Sequence, residues 1–158
     1  MISVSNAVFV DTNILISAYL NAAPRHVQAL HALTSLAQQR TALWISRQVL
    51  REFAVNLTRS QPYATRPPSV RQVTAAIRYF QEHFFVADDN QDVTGHLLSL
   101  MEHITAGGKQ VHDANIVAMM LANQIQRLLT FNVADFSRFA QYVTLLPIET
   151  LAPPNNAP

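Results

Sequence analysis

The chain has 158 residues and a mass of 17.6 kDa, enough for one domain and too little for two independent catalytic ones. With 49% hydrophobic and only 13% charged residues it can bury a sizeable core, which excludes a wholly disordered chain. Cysteine is absent, excluding a disulfide scaffold, a thiolate zinc site, an iron–sulfur cluster and a cysteine nucleophile, while a formal net charge of +1 conceals an uneven distribution.

The opening residues, Met1 to Val4, lack a basic stretch before an apolar one, so no signal peptide is expected. No uncharged apolar run approaches the ~20 residues that span a bilayer, so the expectation is a cytoplasmic protein with no membrane partner. Ala7–Val10 is a short apolar run ending at Asp11 and reads as a buried strand. Asp11 or Thr12 then caps a helix bearing Ile14, Leu15, Ala18 and Tyr19, broken by Asn21 to Pro24. His26 to Gln39 carry Val27, Leu30, Leu33 and Leu36 at helical spacing. Ala42–Ile45 predicts a second strand, and Ser46 starts a helix through Val49, Leu50, Phe53 and Leu57.

Gln61 to Ser69 hold three of the eight prolines and read as a loop. A helix is expected over Val70 to Glu82, a third strand over Phe84–Val86, and a helix over Asp92 to Ile104 that stops before Gly107 and Gly108. A further helix from about Asp113 to Gln124 precedes a fourth strand at Leu128–Phe131 and a fifth at Val143–Leu146. Residues 1–150 therefore read as a single domain and 151–158, with three prolines and two asparagines, as a disordered tail. Strands alternating with amphipathic helices imply a mostly parallel sheet of four to five strands, covered on both faces. Ligands of such sheets bind beyond the C-terminal ends of the strands.

The charge is split along the chain. Arg25 to Arg78 contain eight arginines and one acid, whereas Tyr79 to Asp113 contain six acids and one lysine. A basic segment beside an acidic one suits a polyanion near a metal site, and equally a solvated helical face. The candidate chemistry lies in the acids. Asp11 follows the first strand, Asp113 opens the helix before strand four, and Asp135 follows strand four. Glu52 lies inside a helix. Each acid has an ordinary structural reading as a helix cap or a solvent-facing residue. Gathered in one pocket, Asp11, Glu52, Asp113 and Asp135 would repel one another, which is sensible only if divalent cations fill the space. Carboxylates are hard ligands that suit Mg²⁺ or Mn²⁺, and such ions activate water against a phosphodiester. Histidines 26, 31, 83, 96 and 103 share no ligand spacing, and Asp88, Asp89 and Asp92 read as an acidic turn with a helix cap.

Four segments occur in a characteristic order: Val10-Asp11-Thr12-Asn13, Val49-Leu50-Arg51-Glu52-Phe53, Gly108 to Ala114 with His112-Asp113, and Leu129 to Phe136 with Thr130, Asn132 and Asp135. On these the chain resembles the PIN-domain family, and within it the VapC-type toxins of toxin–antitoxin modules. The resemblance spans residues 7 to 146. It implies a three-layer α/β/α fold and an Mg²⁺- or Mn²⁺-dependent endoribonuclease. It also implies a homodimer held in check by a small cognate antitoxin. Asp11, Glu52 and Asp113 match the family's metal-binding acids. Many relatives carry Asp where this chain has Asn132, so Asp135 is expected to fill the fourth position. Thr12, Asn13, His112, Thr130 and Asn132 are expected in support, and Arg47, Arg51 and Arg59 on the RNA backbone. Two other readings stand beside this one: a PIN nuclease of RNA processing or quality control, and a non-catalytic binding or signalling module. A phospho-receiver would need paired acids after the first strand, where Asp11 stands alone.

Overall fold

A computed structural model describes residues 6–151. The expectations for Met1 to Val4 and for most of the tail lie outside them. The elements are β1 (Ala7–Val10), α1 (Thr12–Tyr19), α2 (His26–Gln38), β2 (Ala42–Ser46), α3 (Arg47–Leu57), α4 (Val70–His83), β3 (Phe85–Ala87), α5 (Gln91–His103), α6 (Gln110–Ala122), β4 (Arg127–Leu129), α7 (Val133–Phe136), β5 (Thr144–Leu145) and α8 (Ile148–Leu151). All five strands pair in parallel in the order β3-β2-β1-β4-β5. Helices α1, α2, α3, α4 and α8 pack among themselves, as do α5, α6 and α7. The result is the expected three-layer α/β/α arrangement.

The core explains the strands. Val8, Phe9 and Val10 are fully buried, as are Ile45, Leu128 and Leu129. A strand covered on both faces carries apolar residues without alternation, which is why β1 was legible as a plain apolar run. Phe53 ties together the helices of one layer, meeting Tyr19 of α1 and Phe80 of α4 edge-to-face at 5.7 and 5.0 Å. Capping positions the helix starts. The Ser46 hydroxyl accepts from the Val49 amide at 3.2 Å, and Ser69 with Gln72 forms a reciprocal capping box on α4. Asn90 caps α5, with Asp92 in its first turn, so the acidic cluster after β3 belongs to a helix start.

Several boundaries differ from the sequence reading. Helix α6 begins at Gln110, so Asp113 does not open it but sits in its first turn. Strand β4 stops at Leu129 rather than Phe131. The physical reason is that the amides of Phe131 and Asn132 turn to side chains: Phe131 N–H donates to the Asn13 side-chain oxygen at 3.1 Å and Asn132 N–H to the Thr130 hydroxyl at 2.9 Å. The buried stripe of α2 is Ala29, Ala32 and Leu36, leaving Val27 and Leu30 exposed, because small residues let α2 sit close to α1. Helices α7 and α8 were not expected, since four residues are too few to show a period. Leu151, assigned to the tail, closes α8.

The topology decides where a site forms. From β1 the chain runs outward through β2 to β3, then crosses to the other side of β1 for β4 and β5. The order reverses at β1, and the crevice beyond β1 and β4 is where open parallel sheets bind ligands. Asp11 and Thr130 leave those two strands side by side.

Candidate active site

Asp11 is the N-cap of α1 and only 7% exposed. Its Oδ1 accepts from the Thr12 amide at 2.7 Å. Its Oδ2 accepts from the Thr130 hydroxyl at 2.7 Å and from Asn13 Nδ2 at 3.0 Å. Asn13 also donates to Thr130 Oγ1 at 3.2 Å. Asp11 is thus a helix cap through one carboxylate oxygen, while Thr130 after β4 and Asn13 of α1 hold the other. Burial, assisted by the negative charges of Glu52 and Asp113, pushes its carboxyl up to about 6, against the stabilising bonds from Thr130 and Thr12.

Glu52 approaches from α3. Thr12 donates its hydroxyl to Oε2 at 2.8 Å, and Gln48 Nε2 donates to Oε1 at 2.7 Å. The side chain that sequence alone could leave in solvent is therefore drawn inward by partners on α1 and on its own helix. Asp113, half-buried in the first turn of α6, accepts no hydrogen bond among the described residues. Burial raises its pKa first, then the charges of Asp135 and Glu52, while Arg138 and His112 pull it down. Asp135 lies exposed on α7, and Asn132 Nδ2 donates to its Oδ2 at 2.7 Å, so the two candidates for the fourth position are linked to each other. His112 is exposed, and its backbone carbonyl accepts from Gln48 at 3.3 Å.

Asp11 thus feels the charges of Glu52 and Asp113, and Asp113 those of Asp135 and Glu52. Among the described residues, no three acid or imidazole side chains stand close enough to chelate an ion as placed. The donor chemistry nonetheless fits a hard cation: buried or crowded carboxylates, hydroxyls and an amide, with no soft ligand. Magnesium characteristically keeps several waters and takes only one or two protein carboxylates, so a threefold protein cage is not required.

The arginines named from the sequence divide. Arg51 shares a cleft of about 370 Å³ with Gln48, Glu52, Asp89, His112 and Asn115. Arg47 is engaged in an exposed ion pair with Asp88. Arg59 lies beyond the C-terminal end of α3, roughly 10 Å along the axis from Glu52 at 1.5 Å per residue.

The PIN-domain sequence profile matches residues 7–134. The chain belongs to the PIN-domain family. No curated protein matches it. Among solved structures it is similar to the VapC20 toxin of Mycobacterium tuberculosis, described as cleaving the sarcin–ricin loop, at 24% identity and a TM-score of 0.66, covering 89% of this chain and 99% of that one. It is similar at 18% identity to VapBC2 of Rickettsia felis bound to a promoter DNA fragment, TM-score 0.65, covering 89% and 99%. For VapBC-1 of nontypeable Haemophilus influenzae the values are 20%, 0.65, 90% and 98%. Such likenesses concern the fold.

Three polar residues of this PIN domain's crevice escaped the sequence reading. Gln48 is four residues before Glu52, a helical i to i+4 spacing that would have signalled contact. Asn115 follows Asp113 by two. Arg138 follows Asp135 by three, donates from Nε to the Asp135 carbonyl at 3.0 Å, and brings positive charge to Asp113.

Proposed function

We propose that this PIN domain is a divalent-metal-dependent endoribonuclease and the toxin of a VapBC-type pair, acting in the cytoplasm. The observation that carries the reading is the crowding of carboxylates around a buried Asp11, whose pKa is raised to about 6. Burial is the main cause of that rise and the charges of Glu52 and Asp113 add to it, and a bound cation would relieve both. Asp11, Glu52 and Asp113 would hold Mg²⁺ or Mn²⁺, with Asp135 assisting through its link to Asn132. The ion, when bound, supplies an activated water and offsets charge on the phosphodiester.

The chain's own residues do the rest. Thr12, Asn13 and Thr130 fix the rotamer of Asp11. Thr12 and Gln48 do the same for Glu52. Arg51 and Arg138 flank the acids with positive charge and suit the RNA backbone, because a guanidinium fork matches phosphate oxygens. Phosphate contacts of this kind make RNA affinity fall as salt rises.

A small antitoxin would need an apolar surface. The exposed flanks of α1, α2 and α4 form a groove of about 490 Å³ lined by Leu15, Ala18, Tyr19, Leu30, Leu33 and Phe80. Homodimer formation belongs to the same reading, supported by Leu98 and Met101 left exposed on α5. The test is digestion of single-stranded and structured RNA by purified protein with Mn²⁺, with chelator, and beside Asp11→Asn. Cleavage requiring both the ion and Asp11 supports the proposal; cleavage that survives either loss defeats it.

A further inference from the structure

Gln48 occupies a place that packing alone would fill with an apolar residue. It faces inward from α3 at the contact with α6 and is 7% exposed. A buried primary amide costs free energy unless its donors and acceptor are used. Here they are. Nε2 donates to Glu52 Oε1 at 2.7 Å and to the His112 carbonyl at 3.3 Å, while Oε1 accepts from Asn115 Nδ2 at 2.8 Å. The orientation is dictated by chemistry: an ionised carboxylate only accepts, so the amide must turn its N–H groups to Glu52 and leave its carbonyl to Asn115.

The consequence is a bridge between two of the acids. Glu52 stands on α3, and Asp113 lies between the two α6 residues, His112 and Asn115, that Gln48 touches. With Thr12 on its other oxygen, Glu52 is held by a neutral donor at each end. Both oxygens keep lone pairs free for a cation, and the carboxylate cannot swing out to solvent without breaking both bonds. We infer that Gln48, oriented by Asn115, is a positioning residue that sets the Glu52 carboxylate and its separation from the first turn of α6, and so tunes affinity for the divalent ion. This inference rests on the metal-dependent reading above.

The test measures Mn²⁺ binding by the magnetic resonance signal of unbound ion, alongside thermal unfolding of the chelated protein. Gln48→Met keeps an unbranched side chain of similar length and deletes the bridge. Outer-shell partners of metal ligands typically contribute 10–100-fold in metal affinity, so a weakening of about tenfold or more is expected. Asn115→Ala should weaken binding less, and the double variant should bind like Gln48→Met, since Asn115 acts through Gln48. Should Gln48→Met not fold, Asn115→Ala carries the test through a loss of at least about twofold. Wild-type Mn²⁺ affinity in a folded Gln48→Met protein, or in Asn115→Ala where that is the variant tested, overturns the inference. A wild-type protein whose Mn²⁺ binding is nil, or unchanged by Asp11→Asn, instead overturns the metal reading, so the two failures are told apart.

Discussion

The crevice beyond the sheet has two halves built in opposite ways. Around Asp11, Thr12, Asn13 and Thr130, every side chain is tied to another: three donors converge on one buried carboxylate, and residues 117 to 119 apart in the chain exchange hydrogen bonds. Around Asp113 and Asp135, the carboxylates are more exposed, and among the described residues only Asn132 donates a hydrogen bond to one of them. The first half is organised by hydrogen bonds within the chain. The second has few hydrogen bonds to its carboxylates, with the charges of Arg138 and His112 opposing the repulsion that Asp113 feels from Asp135 and Glu52. A preorganised half fixes position, and a loose half lets ligands close on an ion whose waters must be accommodated.

The largest expected effect breaks the ordered half. Asp11→Asn should lower Mn²⁺-dependent cleavage by more than the roughly 100-fold that outer-shell changes reach. Its effect on the fold should be small. Moving the carboxyl from 3.8 to about 6 corresponds to roughly 3 kcal/mol of unfavourable burial that the amide escapes. Against this, the amide nitrogen faces the donors of Thr130 and Asn13, a loss of about 1–3 kcal/mol. Chemical unfolding in chelator should therefore place the variant within roughly 2 kcal/mol of wild type; a much larger loss would make Asp11 foremost a structural cap.

The same carboxyl produces a pH dependence. A folded-state pKa above the unfolded value means the native chain binds the proton more tightly, so stability falls as pH rises. The Asp11 contribution should cost about 3 kcal/mol between pH 3.8 and about 6 in metal-free protein, with Asp113 acting in the same direction. Asp11→Asn should flatten that slope, and unfolding curves across this window would show an unchanged slope if the carboxyl were not responsible.

The two halves can then be compared directly. Thr130→Val deletes a hydroxyl that is 1% exposed, donates to Asp11 and accepts from Asn132, and should cost about 1–3 kcal/mol by denaturant titration. Asp135→Asn, in the open half, should change stability by no more than about 0.5 kcal/mol. It should lower the Asp113 pKa followed by NMR, because a repelling charge is gone. The reverse ranking would erase the distinction between the halves. The smallest effect lies away from the crevice. Gln124 ends α6 at φ 57°, with the Ile125 amide reaching back to the Met120 carbonyl at 2.8 Å. Gln124→Gly removes the steric cost of that left-handed conformation and should stabilise the protein by about 1 kcal/mol, without altering cleavage.

Much of this was legible in the chain. Asp11 after Ala7–Val10 and Ser46 before α3 announced themselves, because a strand end and a helix cap are decided by neighbouring residues. The strands were readable from short, mainly apolar stretches, although β4 opens on Arg127 and β5 on Thr144. Less legible were the first turn of α6, which starts three residues before Asp113, and the four-residue helices. The exposed side of α2 was not legible, because periodicity reveals a stripe, not whether Val27 or Ala29 lies beneath the next helix.

The order of strands, helices and acids is a property of the sequence, since local apolar period and capping act over a few residues. The meeting of Thr130 with Asp11, of Gln48 with Asn115, and of Arg138 with the charge of Asp113 was settled only by tertiary packing. Hydrogen bonds between such positions need sub-ångström placement of backbones that are distant along the chain, and only the stacking of α1, α3, α6 and α7 around the reversed strand order supplies it.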